Sequence, residues 1–164
     1  VVLIDRGSEV GGGDRRVGVG AVAHIDAASR VGEGRWLLRT RGTRRLRVAQ
    51  WLPAAPYPVA LVEELPVATD RPGGATLVRA GRAVRWVRDL LSELGEAPAL
   101  VGPIELGDDS EEAALQLCAM APLNPLDGQR LLEIDEPSER LGHLAELCDA
   151  LADDLSRLLA DGHG

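Results

Sequence analysis

The hydrophobic period of the chain changes once, near residue 67, and that change limits the folds open to it. Before it, apolar residues alternate. Val17, Val19, Ala21, Ala23 and Ile25 fall on one side of an extended strand, with Gly18, Gly20, Val22 and His24 on the other. "DAASRVGEGRW" follows as a turn region. "GRWLLRTRG" (34–42) and "RRLRVAQWL" (44–52) predict two half-buried antiparallel strands with an arginine-studded outer face and Gly42 as a left-handed hinge between them. "VVLID" and "VALVEEL" add short strands at 1–5 and 59–65, and the prolines of "PAAPYP" keep the segment between out of a ladder. After the change, Leu77, Ala80, Val84, Val87, Leu91 and Leu94 recur every three or four residues, as do Leu141, Leu144, Cys148, Leu151, Leu155 and Leu158. Each set is the buried stripe of an amphipathic helix. Gly95 stops the first. Ser110 is expected to cap a helix running to about Ala121, Asn124 and Pro125 to open a short one, and the last to start near Pro137. The expectation is an α+β protein, with a β-subdomain over 1–66 and a helical bundle over 67–164, joined by "VATDRPGG" as a linker.

Several chemistries are excluded. Gly18, Gly20 and Ala23 fit the spacing G-x-G-x-x-A, but they lie inside an alternating strand. A dinucleotide site needs them to open a helix, so no nucleotide cofactor is expected. The glycines instead predict close approach of another backbone. All 18 basic residues are arginine. A P-loop and a Ser–Lys dyad both require a lysine, so neither exists in this chain. No G-x-S-x-G occurs, His24, His143 and His163 sit in unrelated contexts, and acidic pairs such as Asp108–Asp109 and Glu111–Glu112 read as helix-start residues. No enzyme is expected. Cys118 and Cys148 stand 30 residues apart with no C-x-x-C, and His143 precedes Cys148 by five. The expectation is two reduced thiols in a cytoplasmic protein, with no metal. No apolar run approaches the ~20 residues of a membrane helix. Because strand-like residues start at Val1, the chain is expected to begin inside a longer protein.

"VGVGAVAHI", "GRWLLRTRGTRRLRV" and "PVALVEEL" together resemble the N-terminal substrate-binding domain of Lon proteases. Val19, Gly20, Ala23 and Ile25 match that family's first strand, Gly42, Arg45 and Val48 its second motif, and Pro58, Ala60 and Val62 its third. "LLEIDEPSERLGHLAELCDALADDLSRLL" is similar to the helical half of short, stand-alone bacterial members. The resemblance implies a PUA-like β-pseudobarrel, its N-terminal part truncated here, followed by a helical bundle without the ATPase and peptidase of full Lon proteases. It also implies a non-catalytic module that engages unfolded or extended polypeptide.

Trp51, Leu52 and Tyr57, in and beside the proline-rich segment, are the candidate apolar anchors for such a partner. The alternative is RNA, since PUA-like folds include RNA-binding domains. Six arginines (Arg35, Arg39, Arg41, Arg44, Arg45 and Arg47) fall within thirteen residues, and Arg44, Arg45 and Arg47 are the nucleic-acid candidates. Aromatic interleaving for base stacking is thin. The charge balance also weighs against nucleic acid: residues 1–72 hold 11 Arg against 8 acidic residues, residues 73–164 hold 7 against 18.

Overall fold

The computed structural model describes residues 1–7, 13–32, 34–53, 56–68, 70–98, 102, 104 and 106–161. Part of the glycine-rich loop (8–12), two residues of the proline-rich segment (54 and 55) and His163 lie outside these. The chain divides into two compact units, Val1–Pro66 and Val67–Gly164.

The first unit is an antiparallel meander of β1 (Val2–Arg6), β2 (Arg15–Arg30), β3 (Trp36–Leu52) and β4 (Val59–Glu64), in that order across the sheet. Gly20 shows why β2 carries glycine. Val2 pairs with Gly20, and Val1 exchanges backbone hydrogen bonds with Ala21, donating at 2.7 Å and accepting at 2.9 Å. A Cβ on Gly20 would overlap the Val1 carbonyl oxygen and come within 2.6 Å of a Val2 methyl. Gly18, one pleat away, has nothing within 4 Å of a Cβ. Close backbone approach therefore explains Gly20 and not Gly18.

The expected pair of strands at 34–52 is one strand. β3 runs 17 residues straight through Gly42, which pairs with Ala23 and has no positive φ. The hinge assigned to Gly42 is thus overturned. What "RGTRR" encodes is a bulge: Ala23 faces Gly42, Val22 faces Arg44, and Thr43 is the extra residue, its hydroxyl donating to the Val22 carbonyl at 3.2 Å. The turn lies earlier, where Gly32 and Gly34 take φ of 74° and 73°, and the "DAASR" assigned to it belongs to β2. Nor is the outer half of this hairpin half-buried: residues 24–30 and 36–44 are exposed on both faces. Among the described residues of this unit, Leu46 is the one buried apolar side chain.

The second unit completes the α+β class with α1 (Gly74–Glu93), α2 (Ser110–Met120), α3 (Pro125–Glu133) and α4 (Pro137–Asp161). Its core joins Ala80, Val84 and Val87 of α1 to Leu117 of α2, Leu131 of α3, and Leu141, Leu144 and Cys148 of α4. Past Leu155 the α4 stripe continues through Leu159, which packs against the core, and not through the expected Leu158, which is exposed. Asn124 caps α3 as expected, accepting from the N–H groups of Leu126 and Asp127 at 3.0 Å. The cap of α2 is Asp109 rather than Ser110, accepting from Glu111 and Glu112 at 3.0 and 2.9 Å.

The segment expected as a linker is fastened to the bundle. The Ala68 N–H donates to Glu111 Oε2 at 2.9 Å, and Asp70 Oδ2 accepts the Ser138 N–H at 3.1 Å in the first turn of α4. Hydrogen bonds from Ser138 hold the Asp70 carboxyl below its ordinary value of 3.8.

Two outcomes are expected. Gly20→Val should cost about 1–3 kcal/mol through steric overlap, while Gly18→Val should not; thermal or urea unfolding of the two variants checks this. Because the Asp70 carboxyl titrates lower when folded, its stabilisation is present above 3.8 and is lost as pH falls through the lower folded value. Melting temperatures of wild type and Asp70→Ala should therefore differ at neutral pH and converge in acid.

Candidate functional site

The residues singled out for polypeptide binding gather where β3 hands over to β4. Trp51 pairs with Ala60, and Leu52 with Val59, so the two side chains occupy opposite faces of the sheet. Trp51 is 37% exposed, and the Arg16 guanidinium lies over its ring, 4.8 Å from the centroid. Asp14 fixes that guanidinium by a 2.9 Å hydrogen bond. Tyr57 is 68% exposed in the connection, and Leu52 is half-buried. Sequence reasoning missed their apolar neighbours: Val59, Leu61 and Val62 of β4 are all exposed. β4 is an edge strand of the sheet. An exposed apolar edge offers unpaired backbone groups and side-chain contacts together, the requirements for adding an extended chain. The signal was present in "PVALVEEL", whose apolar residues do not alternate cleanly with polar ones.

The three nucleic-acid candidates do not form one surface. Strand alternation places Arg44 on one face and Arg45 with Arg47 on the other. Arg44 is ion-paired with Glu64, Arg45 is buried, and Arg47 stands opposite Glu63. The guanidinium face expected for these strands is therefore divided and partly neutralised.

The helical unit has its own polar centre, built for structure. Arg140 is fully buried; its Nε donates to the Leu131 carbonyl at 3.1 Å and Nη2 to that of Ile134 at 2.5 Å, with Glu111 Oε1 3.9 Å away. His143 is exposed between Glu139 and Glu146. Among the described residues no three His, Cys, Asp or Glu side chains gather as a metal site, and no helix is long and apolar enough to cross a membrane.

The architecture is similar to that of known proteins. The structure of the N-terminal domain of a Mycobacterium avium complex Lon protease matches with a TM-score of 0.56 and 16% identity, covering 90% of this chain and 76% of that one. That of a Lon N-terminal domain protein from Xanthomonas campestris matches at 0.53 and 23%, covering 79% and 67%. These likenesses show the fold. The family model for the ATP-dependent protease La (LON) substrate-binding domain matches residues 1–150, across both units. The chain belongs to the LON substrate-binding domain family. Lon protease 2 of Herpetosiphon aurantiacus is 28% identical over 133 residues, which take in 77% of this chain but 16% of that protein. What this LON domain shares with its relatives is thus the substrate-binding part of a much longer protease, and the ATPase and peptidase lie outside the match.

Neither thiol of this LON domain is poised as a nucleophile. Burial pushes Cys118 up to about 12, with Arg140 opposing it, and Cys148 up to about 11. At pH 8 the folded protein should react with a thiol reagent at least about a hundredfold more slowly than a free thiol, and both cysteines should react promptly in denaturant. Absorbance on titration with an aromatic disulfide reads both rates.

Proposed function

We propose that this LON domain is a non-catalytic module that recognises unfolded or extended polypeptide in the cytoplasm, with Trp51, Leu52 and Tyr57 as its anchors. The observation that carries this is the exposed apolar edge strand β4, beside two exposed aromatics, in a chain of a substrate-binding family. An edge strand supplies backbone hydrogen bonds to any sequence, and the aromatics add apolar contact without strict selectivity. The absence of lysine leaves the chain without a P-loop lysine or a Ser–Lys dyad of its own, so binding is the contribution its residues support. Ordering a flexible client costs several kcal/mol, which sets an affinity on the order of micromolar or weaker.

The expected outcome is that a reduced, permanently unfolded model protein binds the wild-type chain, and that Trp51→Ala/Tyr57→Ala weakens binding about tenfold or more while the variant keeps its circular dichroism. Fluorescence anisotropy of the labelled client measures both. Equal binding by the two folded proteins would discard these anchors.

A further inference from the structure

Among the described residues, no strand pairs with the outer edges of the β2–β3 hairpin's outer half, and its side chains are exposed on both faces. β1 meets β2 no further than Ala21, and β4 meets β3 no further than Arg45. Beyond those points, among the described residues, β2 and β3 pair with each other alone up to Arg30 and Trp36. A two-stranded ribbon of this kind is marginal in water, and its outer backbone groups form an open template.

Residues directly opposite in the ladder share a face. Ile25 faces Thr40, Ala28 faces Leu38 and Arg30 faces Trp36. Along β3 this side is apolar up to Thr40, with Ile25 54%, Leu38 48% and Trp36 62% exposed, and Arg30 is the charged residue at its tip. On the other side, His24 faces Arg41, Ala27 faces Arg39 and Ser29 faces Leu37. That side is basic along β3. Asp26 comes within 3.9 Å of Arg41, and among the described residues no carboxylate pairs with Arg39.

We propose that this arm is a second polypeptide-binding surface, taking up an extended segment of alternating acidic and apolar residues along the open edge of β3. The inference rests on the reading of the domain as a polypeptide-recognition module and adds to it a separate site with its own selectivity. Strand period and charge together choose the occupant. A chain laid against β3 turns alternate residues to opposite faces, so its apolar residues lie beside Trp36 and Leu38 while its carboxylates lie beside Arg39 and Arg41. A second copy of the arm fits poorly, because edge-to-edge pairing sets like-charged rows against each other.

The test uses the full 164-residue chain and two fluorescein-labelled octapeptides, one alternating glutamate with valine and the other lysine with valine. Wild type should bind the acidic peptide at least tenfold more tightly. Arg39→Glu/Arg41→Glu should reverse that preference, and Trp36→Ser/Leu38→Ser should weaken the acidic peptide at least tenfold. All four side chains are exposed, and unchanged melting curves confirm that the variants fold. Methylating the backbone nitrogens on one edge of the acidic peptide should abolish binding, whereas Trp51→Ala/Tyr57→Ala should leave it intact. Equal affinity for the two peptides, or arm variants that bind as wild type does, would overturn the proposal. So would concentration-dependent sedimentation that the arm variants abolish, because the arm would then be occupied by a second copy. If wild type binds an unfolded model protein but neither octapeptide, the arm proposal fails and polypeptide recognition stands; if it binds none of them, both fail.

Discussion

The buried guanidinium of Arg140 holds the helical unit together at its most expensive point. The end of α3 leaves carbonyl groups with no helical partner, and Arg140 donates to those of Leu131 and Ile134. Glu111, 3.9 Å from the same guanidinium, accepts the Ala68 N–H with its other oxygen. Through this one side chain the start of α4, the end of α3, the first turn of α2 and the segment entering the bundle become mutually dependent. A buried ion pair adds little net stability over an apolar substitute, but losing one partner strands a charge and costs about 3–5 kcal/mol. The arrangement therefore enforces one packing of the helices. The apolar stripes of α1 and α4 supply the burial around it.

The β unit has no comparable centre. Its strands carry enough apolar side chains to build a core, yet Leu46 is the one apolar side chain buried among its described residues. Backbone hydrogen bonding across a four-stranded meander, with a bulge at Thr43 and a tight crossing at Gly20, organises the sheet. Apolar area that a sheet does not bury within itself remains available to partners. The two units thus divide the work, with burial completed in the helices and left unfinished in the sheet.

That division explains which parts were legible in the sequence. The helical stripes at Leu77–Leu94 and Leu141–Leu155 repeat over about four to five turns, and a signal that long identifies a helix before any contact is known. Asn124–Pro125 carries its cap in two residues. The strands were legible as strands, but their burial was not. Alternation at Trp36, Leu38 and Thr40 implies one covered face, and no residue in the string says whether a covering layer exists. Gly42–Thr43 signals a break in regular pairing, and turn and bulge use the same residue types, so the choice between them depends on which strands lie alongside. Arg140 and Glu111 sit at positions that look like ordinary helix surface. Their burial follows from carbonyls 5 to 9 residues away and a backbone N–H 43 residues away, which no local pattern records. At the candidate site, Trp51 and Tyr57 stood out because aromatics are scarce, whereas the contribution of β4 required knowing that it is an edge.

Open edges carry a hazard as well as a use. An exposed apolar strand pairs with copies of itself unless something opposes it, and charged residues are the usual safeguard. On β4 that safeguard is Glu63 and Glu64, the latter already tied to Arg44. On the outer hairpin it is Arg39 and Arg41. The two edges are guarded by charges of opposite sign, so a partner that adds to one is repelled by the other if it is itself charged. Under the function proposed above, the residues that oppose stacking of the sheet on itself also set which extended chains each edge accepts. In the proposed module, selectivity arises from the same charges that oppose self-association, and the apolar side chains beside them supply the contact with a matching chain.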